Sequence, residues 1–383
     1  MNLAISRAQA VDAYAARIEL PGLLAMRCYA ALSIFLVHLI ALPNLPIPSQ
    51  LSFILTHFGY GVPLFYAVSA FGLFVGYSGN IKTRADLREF YLRRFFRIAP
   101  LFYFMTFITT PILYWSMWRI TFSLSQFFSS VLFIFNFVPQ HVTGFVLASW
   151  SIGVEMAFYA ILPLLVFALT GLWRSLAFLA VSVFLAANWE LAFRGAGPVL
   201  ATFEQFSLMT FLFYFAAGIT GYFVWQKLGR TSPRVGSAVF AASVLGIFGL
   251  IRFNDQVSEF IGTTFWPVAA LVNVVWALAL AGAVVGVCLH PPRWFVNPAA
   301  KLLGNASLSL YLWHSVVILV LDQWGIYRGL YASLTGTFLP FFACFLATLV
   351  VLVPLSLVSY RYIERPGMKL ASRFTRHCPA PGR

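Results

Sequence analysis

Charge is what this chain has least of. Of its 383 residues only 9% are charged, and just 11 are acidic, while 61% are hydrophobic, including 41 Phe, 16 Tyr and 11 Trp. With a mean hydropathy of +0.86 the polar side chains are too few to cover a soluble domain of this size. That scarcity excludes a soluble globular fold. The apolar runs that replace it approach 20 residues, the length of a helix across a bilayer, so the chain is read as an all-α polytopic membrane protein.

Other absences narrow the chemistry. There are four cysteines, Cys28, Cys288, Cys344 and Cys378, with no CxxC spacing, so neither a disulfide framework nor a zinc site is indicated, and no metal is expected. No GxSxG, HExxH, GxGxxG or Walker sequence occurs, which leaves a serine-hydrolase elbow, a zincin, a dinucleotide fold and a P-loop motor without support. No internal repeat or low-complexity tract is evident. The net charge of +14 sits beside apolar spans, the pattern that orients a protein in a membrane; nucleic acid is not an expected partner, and membrane lipid is.

What is present is a series of apolar segments at about 23–42, 53–78, 98–117, 122–138, 149–169, 172–189, 206–226, 235–251, 263–288, 305–321 and 336–360. The weakest is 122–138, interrupted by Ser123, Ser125, Gln126, Ser129, Ser130 and Asn136. Whether it crosses decides the side of everything after it. If it does not, 21 of the 25 Lys and Arg residues fall on one side and only Arg119, Arg194, Arg252 and Arg328 on the other; if it does, the split is 12 to 13. The positive-inside bias therefore predicts ten crossings, both termini cytoplasmic, and a re-entrant or interfacial segment at 122–138. The chain divides into a cytoplasmic arm at 1–22, one membrane domain at 23–362 and a basic tail at 363–383. The span at 23–42 follows a charged arm and lacks a small-residue cleavage site, so it reads as a retained helix.

An ionisable side chain inside such a span is costly and reads as a site. The first span, LLAMRCYAALSIFLVHLIAL, carries Arg27 and His38. Eleven residues make three helical turns plus about 20°, with a rise of about 16 Å, so both lie on one face. In ASWSIGVEMAFYAILPLL, Glu155 would lie about 7–8 Å inside the boundary if the span starts at Trp150, and His38 about 6 Å inside the same boundary. The matched depths predict that His38 and Glu155 share a cavity, with imidazole as general base and carboxylate as its orienter. Arg93, Arg94 and Arg97 crowd the opposite mouth, and Arg94 and Arg97 share a helical face. Paired guanidinium groups suit polyphosphate; anchoring to anionic lipid is the plainer alternative. Ser307, Tyr311 and His314 form a polar stripe at i, i+4 and i+7 that either lines a cavity or bonds a partner helix. Trp150 reads first as an aromatic-belt residue.

These residues, in this order, resemble the integral-membrane acyltransferases called acyltransferase family 3, which O-acylate bacterial surface carbohydrates. Arg27 and His38 match the family's Arg-x10-His signature, Arg94 and Arg97 its Arg-x-x-Arg, and WSIGVEMAFY its stretch around Glu155; SLSLYLWH and YRYIERP are similar to further family segments. The second span departs from the family pattern with Ala70 beside Ser69 where Gly is common. The resemblance implies acetyl-CoA as acyl donor from the cytoplasm, held by Arg94 and Arg97 with help from Arg27. It implies His38 as base on a hydroxyl of an exopolysaccharide or lipopolysaccharide sugar, free or lipid-linked, with Glu155 orienting His38 or the acceptor. Ser69, Trp150, Ser151, Tyr311 and His314 would line the cavity, in an enzyme of the bacterial inner membrane. The competing readings are a transporter or flippase that uses His38, Glu155 and His314 as a proton or substrate path, and a non-catalytic scaffold of an envelope complex.

Overall fold

The computed structural model describes residues 20–113, 123–229, 233–264 and 269–375. Most of the arm at 1–22, Arg119 and Phe122 near the expected hairpin, and the tail from 376, with Cys378, lie outside the described residues. Among the described residues every regular element is helical. Helix α1, Pro21–Ala41, opens on a proline at its first position, where the missing N–H costs nothing. Short helical turns from Ser49 lead into α2, Gly61–Tyr77, as one span. Helix α3, Arg84–Phe104, is set by a capping box in which Asp86 N–H donates to Thr83 Oγ1 and Thr83 N–H to Asp86 Oδ2; a π-turn at Met105–Thr109 carries it on to Leu113.

After α4, Leu124–Val131, come α5, Trp150–Ala168, and α6, Leu172–Phe193. Then follow α7, Pro198–Phe206; α8, Leu208–Leu228; α9, Pro233–Thr264; and α10, Ala269–Leu289. The chain continues through α11, Pro298–Asn305, into α12, Ser307–Gln323, across a bend of 77°. It closes with α13, Ile326–Ser333; α14, Phe338–Ser359; a π-turn at Tyr360–Glu364; and α15, Arg365–Thr375.

Nine of the described helical units are long and apolar enough to span a membrane, and the bent α11–α12 pair makes ten. Ten spans is the number the arginine distribution predicts. At eight residues α4 rises only about 12 Å, and turns follow it, so the described part of 122–138 does not cross.

Helix α8 is the centre. Every residue from Leu212 to Phe223 is buried, as expected for a helix packed on all sides, and it meets α2, α6 and α10. Gly218 faces the Ala67 carbonyl so closely that a Cβ would overlap it, the small-residue device that lets membrane helices approach. Gly304 of α11 plays the same part against the Leu24 carbonyl of α1 and so fixes the start of α12 beside Arg27. Alternation of the spans gathers the starts of α1, α3 and α12 and the end of α14 at one end of the bundle. The other end holds the end of α1 and the starts of α2, α5 and α10.

Candidate functional site

A cavity of about 100 Å³ lies between α1, α2, α3, α5 and α12, reaching from Arg94 and Arg97 at the first of these ends toward Val62 and Ser151 near the starts of α2 and α5, room for several waters or a ligand's phosphates. Its wall includes Arg27, Arg94, Arg97, Ser69, Ser151, Glu155, Tyr159, Ser307 and Tyr311. Of the residues singled out in the sequence, the cavity thus unites eight.

The three guanidinium groups are not equivalent. Arg97 is engaged: its Nη1 donates to Glu364 Oε2 at 3.2 Å and contacts Met368 Sδ, and its Nη2 reaches the Asn305 carbonyl at 3.5 Å. Glu364 is fully buried and also accepts from Ser309 Oγ. Arg94 instead lies over the Tyr77 ring, 5.7 Å from its centroid, and its buried Nε has no hydrogen-bond partner among the described residues. Arg27 has no ion pair among the described residues. Glu155 accepts from Ser69 Oγ at 2.8 Å and from Tyr159 Oη, bonds that fix its carboxylate against the cavity wall. With Glu364 matched to Arg97, one carboxylate faces two guanidinium groups. The positive end of the helix dipole at α12, where Ser307 lines the cavity and no side chain caps the end, adds to this, so the cavity favours an anion.

His38 lies outside this cavity, at the far part of α1. Its Nδ1 sits 3.0 Å from the Ile34 carbonyl and 3.1 Å from His314 Nε2. His314 Nδ1 in turn contacts the Tyr311 carbonyl, and Ser315 Oγ lies 3.0 Å from His314 Nε2. A carbonyl can only accept, so both Nδ1 atoms carry the proton, and the His38 Nδ1–H is shared between the Ile34 carbonyl and the lone pair of His314 Nε2. That assignment leaves the Nε2 lone pair of His38 free of any partner among the described residues. An imidazole held at Nδ1–H by a carbonyl, with Nε2 bare, is set up to take a proton.

The expected pairing of His38 with Glu155 is not what the structure shows. Glu155 sits with Arg27 in the arginine cavity, while the residue that touches His38 is His314. The depth argument took Trp150 as the boundary, but α5 starts inside the bundle. The turns before it bury Val142, Phe145, Val146 and Ser149, and Tyr311 Oη, which receives a bond from Ser151 Oγ at 2.6 Å, donates to the Ala148 carbonyl at 2.8 Å. Glu155 is therefore deeper than counting from Trp150 implies. Trp150 does not line the cavity either; its ring packs on Phe206 and Phe211, at 4.6 and 5.4 Å. Tyr311 bridges the two parts, with its ring in the cavity wall and its carbonyl on His314.

A family model described as an acyltransferase domain matches residues 20–357. The chain belongs to this acyltransferase family. Exopolysaccharide production protein ExoZ of Rhizobium meliloti is 29% identical over 80% of this chain and 88% of its own length. A protein named membrane-bound transacylase BcsY, from Komagataeibacter xylinus, is 25% identical over 82% of this chain and 77% of its own. One named acetyltransferase ORF330, from Acidianus two-tailed virus, is 27% identical over 83% and 89%. No solved structure matches.

The molecule is thus an acyl-transferring, multi-pass membrane enzyme, and the geometry sorts this acyltransferase's polar residues into an arginine-lined cavity and a histidine pair. Two of its site residues carried no role on sequence. Tyr159 stands one helical turn from Glu155, a spacing visible in WSIGVEMAFY. Glu364 falls in YRYIERP, in a stretch set apart as a tail, yet the helix runs on to Thr375 and packs against α3. A lone carboxylate just after the last apolar run, in a chain so poor in acids, was the available signal.

Proposed function

We propose that the chain transfers an acetyl group from acetyl-CoA to a carbohydrate hydroxyl of the cell envelope or of an exported polysaccharide, in the bacterial inner membrane with both termini cytoplasmic. The observation that carries this reading is the arrangement of His38, fixed by Ile34 and His314 with Nε2 bare, on the same helix as Arg27 of the anion cavity, about 16 Å away along the axis. Arg94, Arg27 and the start of α12 would hold donor phosphates, and the pantetheine arm, itself longer than that spacing, would carry the thioester toward His38.

There His38 Nε2 takes the proton of the sugar hydroxyl as its oxygen bonds to the thioester carbonyl carbon. The C–S bond then breaks, and the CoA thiolate leaves and recovers a proton from the imidazolium. Transfer is direct in this scheme. The relatives named for exopolysaccharide production and for transacylation support a polysaccharide acceptor.

The test is mass spectrometry of surface and secreted glycans from cells that lack the protein, carry it, or carry His38→Ala. One acyl group per repeat that depends on His38 is expected. Intact protein with unchanged glycans, and sugar export driven by the proton-motive force, would instead support transport.

A further inference from the structure

At the end of the bundle opposite the arginines, three rings form a stack that donor binding does not use. Trp276 of α10 is the floor, only 1% exposed. Tyr60 stacks on it with centroids 3.9 Å apart and planes 9° from parallel, and His57 stacks on it at 5.7 Å and 30°. Both upper rings come from the turns leading into α2 and are half-buried.

The edges of this stack are polar. Tyr60 Oη donates to Asn273 Oδ1 at 2.8 Å, Trp276 Nε1 donates to Asn254 Oδ1 at 3.3 Å, and Thr56 Oγ1 lies 2.7 Å from His57 Nδ1. The amide NH₂ groups of Asn254 and Asn273 are left without a partner among the described residues, at half-buried positions. Asn254 follows directly on Phe253, where α9 kinks (φ −124°, ψ 20°). The Asn254 and Asn273 oxygens satisfy the Trp276 and Tyr60 donors, as packing alone requires; the spare NH₂ groups beside the rings go beyond that. Flat aromatic faces edged by uncharged donors and acceptors match a sugar, which offers C–H on one face and hydroxyls around its rim.

The turns that carry the stack also pack on the helix that carries the base. Gly61, adjoining Tyr60, abuts α1 so closely that a Cβ there would fall 2.7 Å from the Ala30 carbonyl and 2.9 Å from Ile34 Cγ1. The Ile34 carbonyl is the acceptor that holds His38.

We propose that the ring stack of His57, Tyr60 and Trp276, fringed by Asn254 and Asn273, is a binding site for a neutral sugar unit of the acceptor. This rests on the reading of His38 as base for a carbohydrate hydroxyl. No carboxylate or guanidinium bonds to the stack among the described residues, which is why the unit is neutral rather than a uronic acid or an amino sugar.

The test uses the full chain in nanodiscs, with glucose, galactose and mannose tetrasaccharides as probes in saturation-transfer NMR and titrated acetyl-CoA as a separate binding measurement. At least one tetrasaccharide is expected to give saturation transfer to its C–H protons. Tyr60→Leu should weaken that binding about tenfold or more, and Tyr60→Phe, which keeps the ring and loses the bond to Asn273, about fivefold; Asn273→Ala should match Tyr60→Phe. Acetyl-CoA affinity should be unchanged in all three, which also shows that they fold. The proposal is overturned if wild-type protein that binds acetyl-CoA gives no transfer to any probe, or if all three variants bind sugar like wild type. Sugar binding through Tyr60 without acetyl-CoA binding would sink the donor assignment and leave the stack standing.

Discussion

The Arg-x-x-Arg pair is the clearest case of neighbouring residues with different work. Arg94 has a buried Nε without a partner among the described residues and faces the cavity, so Arg94→Ala is expected to raise the KM for acetyl-CoA about 10- to 100-fold, leave the acceptor KM alone and barely move the melting temperature. Arg97 is locked to a fully buried carboxylate, and removing one partner of such a pair costs about 3–5 kcal/mol because the other charge stays buried. Arg97→Ala should therefore show a lowered melting temperature first, and Arg97→Met with Glu364→Gln should recover much of it. Equal KM effects and equal stability for the two single alanine variants would refute this division. For the base, His38→Ala should cut kcat by about 10²- to 10⁴-fold with acetyl-CoA affinity unchanged. His314→Ala should lower kcat less, since the Ile34 carbonyl still holds Nδ1–H, and should leave both KM values in place.

At the scale of elements, helix α5 explains why one part of the site was legible and another was not. The spacing of Arg27 and His38 follows from helical periodicity inside a single continuous helix, and the structure keeps them on α1 as counted. The depth of Glu155 depended on where a helix starts, and apolar pattern does not reveal that the turns at 139–149 fold into the bundle. The His38–His314 contact joins residues 276 apart in the chain, and no local pattern encodes such a pairing. The turn before α5 is also under strain: Ala148 has φ of +59°, a left-handed conformation that costs a non-glycine residue roughly 1–2 kcal/mol. Its carbonyl is the acceptor for Tyr311, so the strain is held where it shapes the cavity. Ala148→Gly is expected to raise thermal stability slightly with transfer retained, whereas Ala148→Val should lower both. Melting curves and transfer rates on the same preparations decide it.

For the whole molecule, composition and charge placement were enough to give an all-helical membrane protein with about ten spans, because the cost of polar groups in hydrocarbon leaves few other solutions. Sidedness is the remaining global statement, and it is testable on a cysteine-free background. Ser52→Cys, at the His38 end, should react with a membrane-impermeant maleimide from outside, and Ala85→Cys, at the arginine end, only after the membrane is opened; both positions are exposed. Labelling of Ala85→Cys in intact cells would invert the proposed orientation. The ends differ in shape as well as charge. Helix α9, at 32 residues, is two helical pieces joined at the Phe253 kink, together about 48 Å of helical rise against a hydrocarbon core of about 30 Å, and its polar part from Arg252 belongs to the end that carries the aromatic stack.

The ion pair between Arg97 and Glu364 has a temporal meaning too. The two residues are 267 positions apart, and Glu364 follows the last of the spans. A ribosome delivering residues at about 5–20 per second would therefore hold Arg97 in the nascent bundle for some 13 to 53 seconds before its counter-charge is made. Through that interval the arginine cavity carries one positive charge more than in the finished fold, and the third helix lacks its buried partner.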